Sequence, residues 1–362
     1  MPTMNTASFT IMATRAEDQE LVNQVANESK INASKNEEGT SASAHRDVIP
    51  SFGWHPWFSH LLYDDLAPNA ISGRPLSSDE KTSHYKQALT PEPEHDTFIA
   101  ELQDPLLLSD FLNETRARLA KHPNALVGEI GLDKAFRIPV AWLPKDHEQR
   151  DQSLTPGGRE GRRLSPYRVS MNHQKKILLA QLKLAGEMQR PVSIHGVQAH
   201  GVVYETLVQT WKGHERPVMS KKEQKRHPER LHPDDEDESS RAVSGPKPYP
   251  PRICLHSYSG PPDPVKQYIH PSVPAEIFFS FSILVNFTSP AASKTAEVIR
   301  SIPDDRILVE SDLHTAGKDM DEYMEAVVRK ICELKQWSLT DGVKQLGRNW
   351  RHFVFGVTDT PS

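Results

Sequence analysis

Seven short apolar runs, each closed by polar or turn-forming residues, constrain the fold of this chain more than any other feature. They are 8–14 (SFTIMAT), 48–54 (VIPSFGW), 125–132 (ALVGEIGL), 191–195 (PVSIH), 253–257 (ICLHS), 277–281 (IFFSF) and 307–311 (ILVES). Runs this short, rich in β-branched and aromatic residues, read as buried parallel strands. Between several of them, the stretches 103–122, 171–189, 289–301 and 318–336 carry apolar residues at three- and four-residue spacing, which predicts amphipathic helices. Strand alternating with helix predicts an α/β fold with a parallel sheet, and seven strands are one short of an eight-stranded (β/α) barrel.

The 362 residues fit a single barrel domain, 1–362, enlarged by insertions. Only 36% of residues are hydrophobic and 29 are proline, so polar segments must dilute an ordinary core locally. Three segments account for this. The stretch 26–46 (ANESKINASKNEEGTSASAHR) is nearly free of large apolar residues and is expected to be a loop. The stretch 135–165 is basic, contains Gly157 and Gly158, and reads as a second long loop. The stretch 214–251 sets a basic block before an acidic one and ends in prolines, which predicts a surface excursion able to meet a charged protein partner or nucleic acid.

A formal charge of −5 argues against a protein that holds nucleic acid by bulk electrostatics, though a metal-centred site can still handle phosphates. Cys254 and Cys332 stand far apart without a CxxC partner, which excludes a disulfide framework and a thiolate zinc site. No window approaches the roughly 18 apolar residues that span a bilayer, and no basic segment leads an apolar one at the N-terminus. A cytoplasmic or nuclear location is therefore expected, with no membrane partner.

Four of the predicted strands end in a group able to bind a divalent metal: Glu129, His195, His256 and Asp312. In a (β/α) barrel the C-terminal strand ends converge on one mouth, so donors scattered along the sequence can meet there. Imidazole and carboxylate together suit zinc, manganese or a similar ion, and a shared carboxylate can bridge two ions. Each residue also has an ordinary structural role open to it: a histidine can simply be hydrogen-bonded, and a carboxylate can pair with Arg or Lys or cap a helix. Four such placements, all at strand ends, favour one shared site.

The segments VGEIGLD, PVSIHG, LHSYSG and LVESDLH, in this order, resemble the successive signatures of TatD-related deoxyribonucleases. GWHPW at 53–57 is similar to that family's GIHPH segment, the helix NHQKKILLAQLKLAGEMQRP to its pattern before the histidine strand, and GRNWRHFVFG to its closing motif. The combination resembles the family's fungal branch, which also carries GWHPW and long insertions, and covers 10–356 apart from those insertions. It implies a TIM-like metal-dependent hydrolase barrel and hydrolysis of DNA phosphodiester bonds. It further implies one or two divalent ions (Mg, Mn or Zn), with Glu129 bridging, His195 and His256 on one ion and Asp312 on the other. Asp312 and Glu129 are the catalytic residues so implied, Asp312 being placed to position or deprotonate the attacking water. His55 is implied to meet substrate phosphate, or it stabilises the turn between Trp54 and Trp57.

TatD proteins begin with a strand ending in His-x-His, and this sequence has no histidine before His45, which lies in the polar stretch as AHRD. The run SFTIMAT already resembles the family's second strand. The resemblance therefore implies a barrel missing its first strand, with two edges exposed and the Asp312-side ion thinly held. Two other functions share this fold: a non-catalytic scaffold binding a cell-cycle or other protein, and an amidohydrolase acting on a non-nucleotide substrate.

Overall fold

The computed structural model describes residues 4–6, 8–37, 47–68, 70–71, 73–142, 148, 150–151, 159–218, 246–288 and 292–357, the side chains of 30–37 excepted. All seven predicted strands form: β1 (Ser8–Met12), β2 (Asp47–Ser51), β3 (Val127–Asp133), β4 (Val192–Val197), β5 (Arg252–Leu255), β6 (Glu276–Phe281) and β7 (Ile307–Val309). Every ladder among them is parallel. β3 to β7 make one five-stranded sheet in sequence order, and β1 pairs with β2. The bridge between Ser51 and Leu126 joins the two sheets, with Phe52 N donating to Leu126 O at 3.0 Å. The strands thus follow one another β1 to β7 around a curved parallel sheet.

Helices separate them. These include α1 (Ala16–Glu37), α2 (Ser78–Ala88), α3 (Leu108–Lys121), α4 (Met171–Glu187), α5 (His200–Trp211), α6 (Ala292–Ser301), α7 (Lys318–Lys335) and α8 (Leu339–Phe355). Their ends follow local chemistry. Ser77 and Glu80 form a reciprocal capping box on α2, while Ser170 and Ser338 cap α4 and α8 through their hydroxyls. α8 stops at Gly356, whose φ of 73° closes the helix in the left-handed conformation.

α1 corrects the loop expected at 26–46, because the helix runs on through Glu37. Val22 and Ala26 are buried on its inner face, and no proline or glycine interrupts 16–37, so nothing local ends the helix. The remainder of that stretch lies outside the described residues, as does 219–245 of the charged segment. The described parts of 135–165 are also not a plain loop. Pro139 and Leu164 form an antiparallel bridge, flanked by Ile138 N to Tyr167 O at 2.9 Å and Val140 N to Arg163 O at 3.0 Å.

The main core lies between the sheet and its helices. Phe52, Val127, Ile130, Ile194, Ile253, Phe279 and Phe281 on the strands meet Leu178, Leu182, Val203, Leu207, Val298 and Val327 on the helices. Truncating one of these aromatic rings to alanine costs about 3–5 kcal/mol. β1 is the exception: all five of its residues are only half-buried. Among the described residues no ladder joins β7 to β1. Instead, the residues ahead of β1 reach α7, the helix that follows β7: Asn5 N donates to Asp321 Oδ2 at 2.6 Å and Thr6 Oγ1 to Asp321 Oδ1 at 2.8 Å. No described helix is long and apolar enough to cross a membrane.

Candidate metal centre

Parallel register levels the strand ends. Gly131 stands opposite His195, Ile194 opposite Leu255, and Phe281 opposite Val309, so the residues that follow emerge at one mouth. His256 N donates to Ile194 O at 2.9 Å and Glu310 N to Phe281 O at 3.1 Å, extending the ladders just to that point. Gly131 is required where β3 and β4 approach: its φ is +148°, and a Cβ there would lie 2.0 Å from His195 O. Ser257 and Asp312 adopt positive φ at the ends of β5 and β7 (39° and 57°), backbone strain gathered around the mouth.

One carboxylate oxygen organises the cluster. Glu129 Oε1 lies 3.0 Å from His195 Nδ1, 3.4 Å from His55 Nε2 and 3.6 Å from His256 Nε2. His256 Nε2 is in turn 3.1 Å from Asp312 Oδ1. All five residues singled out in the sequence therefore belong to one connected group at the mouth. Two sets within it have donor atoms close enough together to share an ion: His55, Glu129 and His195, and His256, Glu310 and Asp312. Neither His200 nor His314 is in either set. His200 opens α5, half-buried against the Tyr258 ring.

Two residues not singled out in the sequence complete the centre. Asp133 Oδ2 lies 3.0 Å from His195 Nε2 and accepts from Trp57 Nε1 at 2.7 Å. Its other oxygen accepts from Ala135 N and Phe136 N, and Gln174 brackets its backbone from both sides. Glu310 Oε2 lies 2.8 Å from His256 Nδ1, outside hydrogen-bonding direction, and its other oxygen accepts from Ser257 N at 2.7 Å. For Asp133 the signal was strand periodicity, four residues after Glu129 in β3, a spacing that returns a side chain to the same face; Glu310 and Asp312 lie past the end of β7 and meet through the turn at Asp312.

The charges are mutually held. Burial would raise the Glu129 carboxyl, but His256, His55 and the hydrogen bond from His195 outweigh it and keep it well below the ordinary carboxylate range. Burial would lower His195, but its bonds to Asp133 and Glu129 push it up to about 9. His256 is likewise held well above the ordinary value, burial being outweighed by Glu310, Glu129 and Asp312. His55 goes the other way because burial dominates there. The residues fit a divalent cation: carboxylates and imidazoles, half-buried or buried apart from the exposed Asp312, converge on one another with no Lys or Arg ion-paired to Glu129, Asp133, Glu310 or Asp312 among the described residues.

Comparison with known proteins places this arrangement. The family model described as TatD-related DNase matches residues 5–354. A Schizosaccharomyces pombe protein named Cut9-interacting protein scn1 is 38% identical over 351 residues, covering 97% of this chain and 92% of that one. An uncharacterized deoxyribonuclease of Saccharomyces cerevisiae is 27% identical over 316 residues, covering 85% of this chain and 77% of that one. Among solved structures, an uncharacterized amidohydrolase from Saccharomyces cerevisiae shares the fold with a TM-score of 0.51 at 13% identity, covering 96% of this chain and 88% of that one.

Proposed function

The chain belongs to the TatD-related DNase family, and from that premise we propose that it is a metal-dependent hydrolase cleaving phosphodiester bonds in DNA, working as one domain over 1–362. The observation that carries this reading is the single oxygen of Glu129 faced by three imidazole nitrogens, with Asp312 one histidine away. A carboxylate shared between two cation positions accounts for so many donors around one oxygen.

In this reading His55, Glu129 and His195 would hold one ion and His256, Glu310 and Asp312 the other, with Glu129, which also faces His256, placed to be shared. Magnesium, manganese and zinc all suit such donors. A divalent ion there supplies Lewis acidity, offsetting charge on phosphoryl oxygens and making water nucleophilic near neutral pH. The chain's own residues do the rest. Asp312, the most exposed of the carboxylates, accepts the proton of the attacking water; Ser257 Oγ, 3.2 Å from its Oδ2, and His256 hold it in position. His55 is buried against the Trp57 ring, and its Nδ1 accepts from Trp57 N at 3.2 Å, so Nε2 is the atom it turns towards Glu129 and an ion beside it.

Protein loaded with Mn²⁺ and incubated with bis(p-nitrophenyl) phosphate tests the reading: turnover is expected, and Glu129→Gln is expected to lose at least about a hundredfold in kcat/KM. Turnover unchanged in that variant would overturn it. A second reading, a barrel that serves as a scaffold for a protein partner, draws on the name of the Schizosaccharomyces pombe relative. It expects partner binding indifferent to Glu129→Gln and to chelator.

A further inference from the structure

The segment 134–168 carries eight Lys or Arg against four Asp or Glu, in a chain whose net charge is −5. We infer that the described ribbon of this segment is a docking surface for the phosphate backbone of a DNA strand entering the metal centre. The inference rests on the phosphodiesterase reading above and adds to it where the polymer is held.

The ribbon starts at the centre itself. Its first residue, Lys134, follows Asp133 directly and is pinned by its N–H to Val197 O at 3.0 Å. Phe136 stacks on Trp57, ring centroids 4.5 Å apart and planes 11° from parallel, and the same Trp57 donates to Asp133. The returning limb also lies by the mouth. Arg162 faces the Trp142 ring and is close enough to Arg15, which follows β1, for the two guanidiniums to repel; Arg15 in turn sits over Phe58.

Within the ribbon the cations divide into two kinds. Arg150 and Arg162 flank the buried carboxylate of Glu160, at 2.5 and 3.5 Å, and so hold the ribbon together. Lys134, Arg159 and Arg163 are exposed, and none of them is ion-paired among the described residues. Exposed cations without a carboxylate partner attract a polyanion, whose binding releases its condensed counterions. The Pro139–Leu164 bridge and the bond from Val140 N to Arg163 O tie the returning limb to the limb that leaves the centre at Lys134. A DNA strand is the occupant that combines a repeating anion for this ribbon with a scissile phosphodiester for the centre.

The test is anisotropy of a fluorescein-labelled 20-nucleotide single strand, in EDTA so that nothing is cleaved, titrated with the full chain over a range of KCl. The triple variant Lys134→Gln/Arg159→Gln/Arg163→Gln is expected to bind at least about tenfold more weakly at 0.1 M salt, with log Kd against log salt shallower by about 2. The charge-keeping variant Lys134→Arg/Arg159→Lys/Arg163→Lys is expected to bind like the parent, and all three proteins to melt alike. Equal affinity and slope in the glutamine variant, no binding by the parent chain, or loss in the charge-keeping variant would each overturn the inference. Wild-type turnover of bis(p-nitrophenyl) phosphate is read separately. Salt-dependent binding lost in the glutamine variant without such turnover would keep the ribbon and discard the hydrolytic reading.

Discussion

His195 Nε2 lies 3.0 Å from Asp133 Oδ2, while the opposite ring nitrogen lies 3.0 Å from Glu129 Oε1. The imidazole is therefore clamped between two carboxylates, one fixing the ring and one sharing its face with the other metal donors. Such outer partners orient a ligand and raise its basicity. Asp133→Asn is expected to weaken Mn²⁺ or Zn²⁺ binding about 10–100-fold, and also to lower the melting temperature of the metal-free protein, because an amide cannot accept at both atoms from Trp57, Ala135 and Phe136. Isothermal titration of chelator-treated protein checks this, and an unaltered affinity would remove Asp133 from the centre.

Glu310 plays the matching part for His256, at 2.8 Å from its Nδ1 and held by Ser257 N. Glu310→Gln keeps the shape and removes the charge. Metal content after dialysis, measured by elemental analysis, is expected to fall by about half if one of two ions depends on it. Full occupancy in the variant would show that Glu310 serves only the backbone of Ser257.

Gly131 is tested by Gly131→Ala. A Cβ 2.0 Å from His195 O, on a backbone at φ +148°, forces β3 away from β4. A loss of about 3 kcal/mol or more in unfolding free energy is expected, combining backbone strain with a clash in a close-packed sheet. Urea unfolding reads it; a loss under about 1 kcal/mol would mean that the strands separate easily and that the centre is loosely built.

A buried histidine cluster away from the centre sets the acid limit of stability. His84 Nε2 bonds His60 O at 2.8 Å and His173 Nε2 bonds Ser59 O at 2.9 Å, so both rings are neutral donors in the folded state. Burial first, and the neighbouring histidines second, push His60 down to about 3, while burial pushes His84 down to about 4 and also lowers His173. The unfolded chain protonates these residues near 6.5, so their contribution is complete above that pH and is lost as pH falls from 6.5 towards 4 and 3. The slope is at most about 1.4 kcal/mol per pH unit for each histidine. Urea unfolding at pH 7, 5.5 and 4.5 (about these values) checks the sign, and His173→Gln is expected to flatten the fall. Stability level over that window would contradict the neutral assignment.

The inner strands were legible in the sequence because they are buried on both faces and so read as unbroken apolar runs, as in PVSIH and IFFSF. The outer half of α1 was not legible. Its composition is polar, and what extends it is the packing of Val22 and Ala26 one and two turns earlier. Glu129, His195, His256 and Asp312 are legible as donors near strand ends, although Glu129 stands third of seven in β3; Asp133 closes that strand and Glu310 follows β7, and neither carries a signal of its own beyond sharing those segments. The indole of Trp57 on Asp133, and the edge-to-face contact of His84 with His173, join residues whose proximity exists only once the helices have packed.

The most direct test of the account is cleavage of a 5′-labelled single-stranded oligodeoxynucleotide by purified, chelator-stripped protein, with Mg²⁺, Mn²⁺ or Zn²⁺ restored in turn. The account expects cleavage to appear with at least one of these ions, to stop with EDTA, and to be absent from Glu129→Gln and His256→Ala prepared identically. No cleavage by the wild-type protein with any of the three ions, or equal cleavage by the Glu129→Gln protein, would contradict it.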